Sequence, residues 1–247
     1  MEVSLASRRR CPTAVVGLAV LAAIGCSGQK ITTKSSSELT RHPVRTLVLV
    51  PFTTLTTSQV RELRDPFFAM PQSVRRSDIS VAVPPNVEPQ DRQTVTVPDY
   101  AAEKITQLFW TRLRMREGVT VLPPSESAKA SSGNVDVSKS AAETVGAAIA
   151  ARLKADAALV GRVLVFQERV GSRLGADPPA AVGFEVKVVA SDETVLWIGN
   201  YYERQRPMTE DMLGFLQRWG AFVTAEELAQ YGADELLKEF PFGSPSK

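Results

Sequence analysis

Three consecutive stretches between Ala155 and Gln205 constrain this chain most, because together they require a sheet packed against something else. "ADAALVGRVLVFQERV" carries apolar residues on both faces as far as Gln167, the pattern of a strand covered on both sides and therefore central. "AVGFEVKVVA" alternates instead. Val182, Phe184, Val186 and Val188 fall on one face and Glu185 and Lys187 on the other, which predicts one buried side and one wet side. "ETVLWIGNYYERQ" follows across the short "SDE" connection, so the last two stretches predict an antiparallel hairpin. The "GSRLG" run, Gly171 to Gly175, has glycines suited to a phosphate loop. It lacks the Lys-Ser/Thr ending and lies between strands, so it is expected to be a hairpin loop.

The remaining elements arrange themselves around these strands. "VRTLVLVPF" is an uninterrupted apolar run from Val44 to Val50, stopped by Pro51, and predicts another buried strand. Residues 53–97 carry scattered prolines and read as an excursion or insertion, in which "ISVAV" and "TVTV" could pair as a hairpin. Asp99 opens a helix whose Ala101, Ile105, Leu108, Phe109 and Leu113 share one face, and which ends near Gly118. "VTVLP" supplies a short strand. Ser140 and Glu143 have capping-box spacing for a helix running to about Lys154, with Val145, Ile149 and Leu153 as its buried stripe. Gly146, Ala147, Ala148, Ala150 and Ala151 make that helix thin enough to approach a sheet closely.

Met212, Phe215, Leu216 and Trp219 line one face of a further helix. Thr224 and Glu227 cap a last one, whose Leu228, Gly232, Leu236 and Phe240 step by four. The expected fold is α/β (α+β), a mixed sheet of about five strands with helices packed on it, formed by a single domain over 44–242 and followed by a tail at 243–247.

The amino-terminal residues locate the protein. Arg8, Arg9 and Arg10 precede an apolar segment from Thr13 to Ile24, shorter than the roughly 20 residues that a membrane-spanning helix needs. The segment then ends in Ala23, Ile24, Gly25 and Cys26, which resembles a bacterial lipobox, although Ala23 stands where Leu is usual. Residues 1–25 are therefore expected to be a lipoprotein signal peptide, cleaved between Gly25 and Cys26, with Cys26 lipidated. Residues 26–43, rich in Ser and Thr, are expected to form a flexible tether. Ser27, rather than Asp, after the cysteine resembles the signal that sends lipoproteins of Gram-negative bacteria to the outer membrane.

Further along, "VLVPF", "GVTVLPPSE", "LKADAALVGRVLVFQERVG", "VGFEVKVVASDETVLWIGNYYERQRPMTEDML" and "TAEELAQYGADELLKEFP" resemble a group of uncharacterised bacterial lipoproteins. Their domain is similar to the amino-terminal domain of TolB and to the periplasmic α/β domain of CsgG-type lipoproteins. The resemblance covers roughly residues 44 to 242 and implies a fold and an envelope location. It implies neither TolB's propeller nor CsgG's membrane-inserting hairpins, and so no pore.

Several function classes lose support in the composition. Residues 1–25 hold Arg8, Arg9 and Arg10 against Glu2, so the mature chain carries no net charge from the formal +2 of the whole, and nucleic acid is not an expected partner. Cys11 lies in the leader, which leaves Cys26 without a partner for an intramolecular disulfide. His42 is the one histidine, and no pair of His or Cys has a metal-ligand spacing, so neither metal nor cofactor is expected.

Catalytic residues are likewise not expected. Glu203 beside Arg204 reads as a solvated strand edge, and Glu210 beside Asp211 as favourable charge at a helix amino terminus. Trp197, Tyr201, Tyr202, Met212, Phe215, Trp219 and Phe222 form the main aromatic and large apolar concentration, which can be core or a partner surface. The expectation is a non-enzymatic, lipid-anchored periplasmic interaction module of a cell-envelope assembly. It would be held in the outer membrane by its acyl chains, facing the periplasm, with an envelope protein or a second copy as partner. A periplasmic small-ligand-binding protein or an enzyme with an unrecognised site is the alternative.

Overall fold

The computed structural model describes residues 30–55, 59–60, 94–131, 141–207, 212–216 and 220–245. Gly25, Cys26, the "ISVAV" run, Ser140, Glu210, Asp211 and Trp219 lie outside them.

The strands are β1 (Ile31–Ser35), β2 (Thr46–Leu49), β3 (Thr53–Thr54), β4 (Gln59–Val60), β5 (Thr94–Val95), β6 (Thr120–Leu122), β7 (Ala157–Gln167), β8 (Ala181–Ala190) and β9 (Val195–Arg204). The helices are α1 (Asp99–Leu113), α2 (Pro124–Ser131), α3 (Ala142–Leu153), α4 (Met212–Leu216) and α5 (Ala225–Lys238). Seven strands form one mixed sheet in the order β1-β9-β8-β7-β2-β6, with β3 continuing the line of β2 along β7. The β2, β3 and β6 pairings are parallel, and those joining β7, β8, β9 and β1 are antiparallel. A separate two-stranded pairing joins β4 to β5, so the hairpin expected from "TVTV" uses Gln59–Val60 as its other strand.

Each face of the sheet carries its own helices. Leu47, Leu49, Val163, Phe184, Val186 and Tyr201 pack against Ile105 and Phe109 of α1 and Leu228 and Leu236 of α5. On the opposite face Val48 and Ala158 lie beneath Val145, Ile149 and Ala150 of α3 and Ala130 of α2. The expected closeness of α3 is present: a Cβ built on Gly146 would stand 2.6 Å from Val160 Cγ1. On α5, a Cβ at Gly232 would come within 2.3 Å of the Tyr201 ring, so an aromatic residue fits beneath this helix because the helix has a notch.

The capping box expected on α5 is complete, with Glu227 N–H donating to Thr224 Oγ1 at 3.1 Å and Thr224 N–H donating to Glu227 Oε2 at 2.8 Å. The Ser140 half of the box expected on α3 lies outside the described residues. That helix begins after Ala141, which makes no side-chain cap, and Glu143 reaches Lys187 on β8.

The amino-terminal correction is larger. Residues expected to belong to a flexible tether form β1, which pairs with β9 from Ile31↔Tyr201 to Ser35↔Trp197, followed by a 3₁₀ turn over Ser37–Thr40. The local sequence is poor in large apolar residues, and the strand exists because β9 offers it a ladder.

The expected tail is also tied down. Glu117 and Ser244 exchange both backbone hydrogen bonds at 2.9 Å. Arg116 donates to the carbonyls of Leu237, Phe240, Phe242 and Gly243 over 2.7–3.3 Å and lies 5.3 Å from the centre of the Phe240 ring. A cation thus closes the carboxyl end of α5, where the helix dipole favours it. Arg116→Ala is expected to lower unfolding stability by about 2–3 kcal/mol, with Arg116→Lys recovering part of it, as read by urea denaturation.

Candidate partner surfaces

The aromatic concentration divides by strand parity. Trp197 and Tyr201 share the face of β9 that meets α5, and both are buried in the core. The Tyr201 hydroxyl lies 2.8 Å from Glu203 Oε2 and 3.2 Å from the Leu228 carbonyl, and its ring stands 5.2 Å from that of Phe184. Phe222 is buried too, against a half-buried Phe215 at 5.6 Å. These positions therefore hold the fold together, and among the described residues of the expected partner surface Tyr202, at 56% exposure on the opposite face of β9, is the aromatic that stands in solvent.

Met212 and Leu216 of α4 are also exposed. Glu203 differs from its expected solvated edge as well: it shares parity with Tyr201, is buried, and has Lys30 Nζ at 3.3 Å.

A groove that the sequence did not reveal runs between α1 and α5. Its floor is Ile105, Leu108, Phe166 and Ala229, and it encloses about 420 Å³. Two ion pairs cross it, Lys104 with Glu226 and Arg112 with Asp234. Beyond the second pair a further hollow of about 370 Å³ continues past Met115, Leu237 and Pro245. An apolar floor between bridged charges can seat an apolar side chain of a partner. Leu108 lies on the apolar stripe of α1 yet is half-buried, and its spacing in the sequence does not distinguish it from the buried members of that stripe.

The face of the sheet beside α3 carries a charged cluster. Lys187 Nζ stands 2.7 Å from Glu143 Oε1 and 2.7 Å from Glu185 Oε1. The hydrogen bond from Lys187 holds the Glu143 carboxyl below its ordinary pKa. Burial opposes the charge on Lys187, but its hydrogen bonds to Glu143 and Glu185 outweigh burial and raise its pKa.

Both shifts favour the folded state at neutral pH. The carboxylate contribution is present above the ordinary carboxylate range and is lost as pH falls through the depressed value. The lysine contribution is lost only as pH rises through the raised one. Lys187→Met is expected to cost about 1 kcal/mol at pH 7 and less at pH 3, as read by urea midpoints at the two pH values.

At the opposite end of the sheet from the β7–β8 hairpin, Arg41, His42, Lys154, Asp156 and Ser191 line an open polar hollow of about 480 Å³. Its central carboxylate is structural, since Asp156 Oδ2 accepts the backbone N–H groups of Arg45 and Thr46 at 2.8 Å each. His42 Nε2 is 3.8 Å from Asp192. Among the described residues no group of three or more His, Cys, Asp or Glu is placed to hold a metal, and no helix is long and apolar enough to cross a membrane.

No family model and no curated protein matches the sequence. Among solved structures, the chain is similar to the PelC dodecamer from Paraburkholderia phytofirmans, with TM-score 0.42 and 12% identity over 87% of this chain and 98% of that one. It is also similar to a lipoprotein from Neisseria meningitidis, with TM-score 0.37 and 13% identity over 71% and 94% of the two chains. For the LpoB carboxyl-terminal domain from Salmonella enterica the TM-score is 0.34, with 11% identity over 66% and 84%. At these values none of the three defines a family for this chain.

Proposed function

We propose that the protein is a lipid-anchored interaction module of the bacterial periplasm, a non-enzymatic component of a cell-envelope assembly of the export or peptidoglycan-synthesis type. The observation that carries the proposal is the order basic residues, short apolar segment, small residue, Cys26 in a chain whose sheet begins at Ile31. Acyl chains on Cys26 hold the domain at its membrane, and the confinement raises its effective concentration toward a neighbouring partner. Ser27 favours the outer membrane, with the domain facing the periplasm. The groove between α1 and α5 supplies the contact surface.

The test places a photoreactive residue at Leu108 in the groove or, as a control, at the exposed Lys129 of α2, in cells carrying either Cys26 or Cys26→Ser. A discrete adduct from Leu108 in the membrane fraction, absent from Lys129 and lost with Cys26→Ser, is the expected result. A native chain that fractionates as soluble overturns the anchor. A membrane-bound chain with no adduct specific to Leu108 overturns the groove.

A further inference from the structure

Among the described residues, the large exposed apolar side chains other than Met115 gather at one end of this molecule. Tyr100, Val170, Leu174, Tyr202, Met212 and Leu216 are all more than half exposed, Leu174 at 90%. Val170 and Leu174 belong to the hairpin that prolongs β7 and β8 beyond their last pair, Gln167↔Ala181, through the Gly171↔Ala176 bridge. The Phe222 N–H donates to the Arg173 carbonyl at 2.8 Å, and Phe222 meets Phe215 edge-on, which brings α4 to the same hairpin. Tyr100 meets Phe166 edge-on at 5.9 Å near the end of β7. Tyr202 lies near the end of β9, paired with Gly183 near the start of β8.

The chain also enters the sheet at this end. The Tyr202 N–H donates to the Lys30 carbonyl at 3.0 Å, and Lys30 stands four residues after Cys26. Four residues fully extended span at most about 14 Å. From Gln167 to Ser172 the hairpin projects about 17 Å at the usual rise per residue. An anchor at Cys26 and the tip of the hairpin therefore have similar reach from one end of one rigid sheet.

We infer that this end faces the membrane, and that Val170, Leu174, Met212 and Leu216 dock on the lipid surface to which Cys26 is tied. The inference rests on the anchor proposed above and adds an orientation to it. Apolar side chains at the end of a short tether sit at the level of the headgroups, where their transfer from water is favourable. Arg173 and Arg204 are exposed at this end, but Asp99 and Asp177 are near it as well, so apolar contact rather than net charge provides the attachment. The groove between α1 and α5 and the polar hollow beside His42 remain open to the periplasm in this orientation.

The test uses the full chain, purified from membranes and reconstituted into phosphatidylethanolamine–phosphatidylglycerol vesicles. An environment-sensitive fluorophore is attached at Leu174→Cys or, at the opposite end, at Met115→Cys, both at exposed positions that fold tolerates. A lipid-borne quencher reads contact, and the mass of the amino-terminal peptide of the same sample reads acylation.

Acylated protein with blue-shifted, quenched emission at residue 174 and unaffected emission at 115 is the expected result. Acylated protein with equal, water-like emission at both positions overturns the docking and leaves the anchor standing. Unacylated protein still quenched at 174 supports the docking and overturns the anchor, and unacylated protein quenched at neither position overturns both.

Discussion

Tyr201→Ala is expected to lower unfolding stability by about 3–5 kcal/mol, the range for removing a large buried aromatic side chain. Tyr202→Ala, one residue along, is expected to stay within about 0.5 kcal/mol of the native chain. The contrast follows from the alternation of β9. Tyr201 fills the notch at Gly232 beneath α5, packs on Phe184 and places its hydroxyl between Glu203 and the Leu228 carbonyl. Removing it leaves a cavity and takes a hydrogen-bonding partner from a buried carboxylate. Tyr202 faces solvent on the other side of the sheet. Urea denaturation of the two variants gives the answer directly, and equal losses would contradict the division of the aromatic cluster into core and surface.

Amide exchange separates the two descriptions of residues 31–36 even more sharply. The Tyr202 N–H donates to Lys30 and the Ser36 N–H donates to Leu196, which fixes the phase of the antiparallel ladder. In that phase the N–H groups of Thr32, Lys34 and Ser36 point toward β9, and those of Ile31, Thr33 and Ser35 point toward the free edge. Slow exchange is expected at the first set and fast exchange at the second. If opening the edge strand costs about 2.8 kcal/mol, the contrast is roughly a hundredfold. A flexible tether would exchange rapidly at every one of these positions, and that result would remove β1 from the sheet.

The same residues show why some of this fold was legible in the sequence and some was not. β7, β8 and β9 announce themselves because each buried face repeats within its own strand, as Val182, Phe184, Val186 and Val188 do. The thinness of α3 and the capping box of α5 are local properties, and both are present as expected. By contrast β1 has almost no apolar signal of its own. Its stability comes from a partner far along the chain and from Lys30 reaching Glu203.

Glu143 likewise has a partner far along the chain, since Lys187 on β8 donates to its carboxylate. α2 is silent in the sequence for a related reason. Its eight residues carry no apolar stripe, and it is held by Ser127, whose buried hydroxyl donates to the Leu49 carbonyl at 2.8 Å, and by Ala130 against the second core. The groove between α1 and α5 is not legible in the sequence because a shallow apolar floor has the same periodicity as a buried one. Only the packing of the two helices leaves Leu108 partly open.

The proposed function rests on acylation of Cys26, which the mass of the amino-terminal peptide from membrane-purified protein reads without an intermediate step. The expected peptide begins at Cys26 and carries the added mass of two or more acyl chains. A chain that retains residues 1–25, or that begins elsewhere with an unmodified Cys26, would contradict that function.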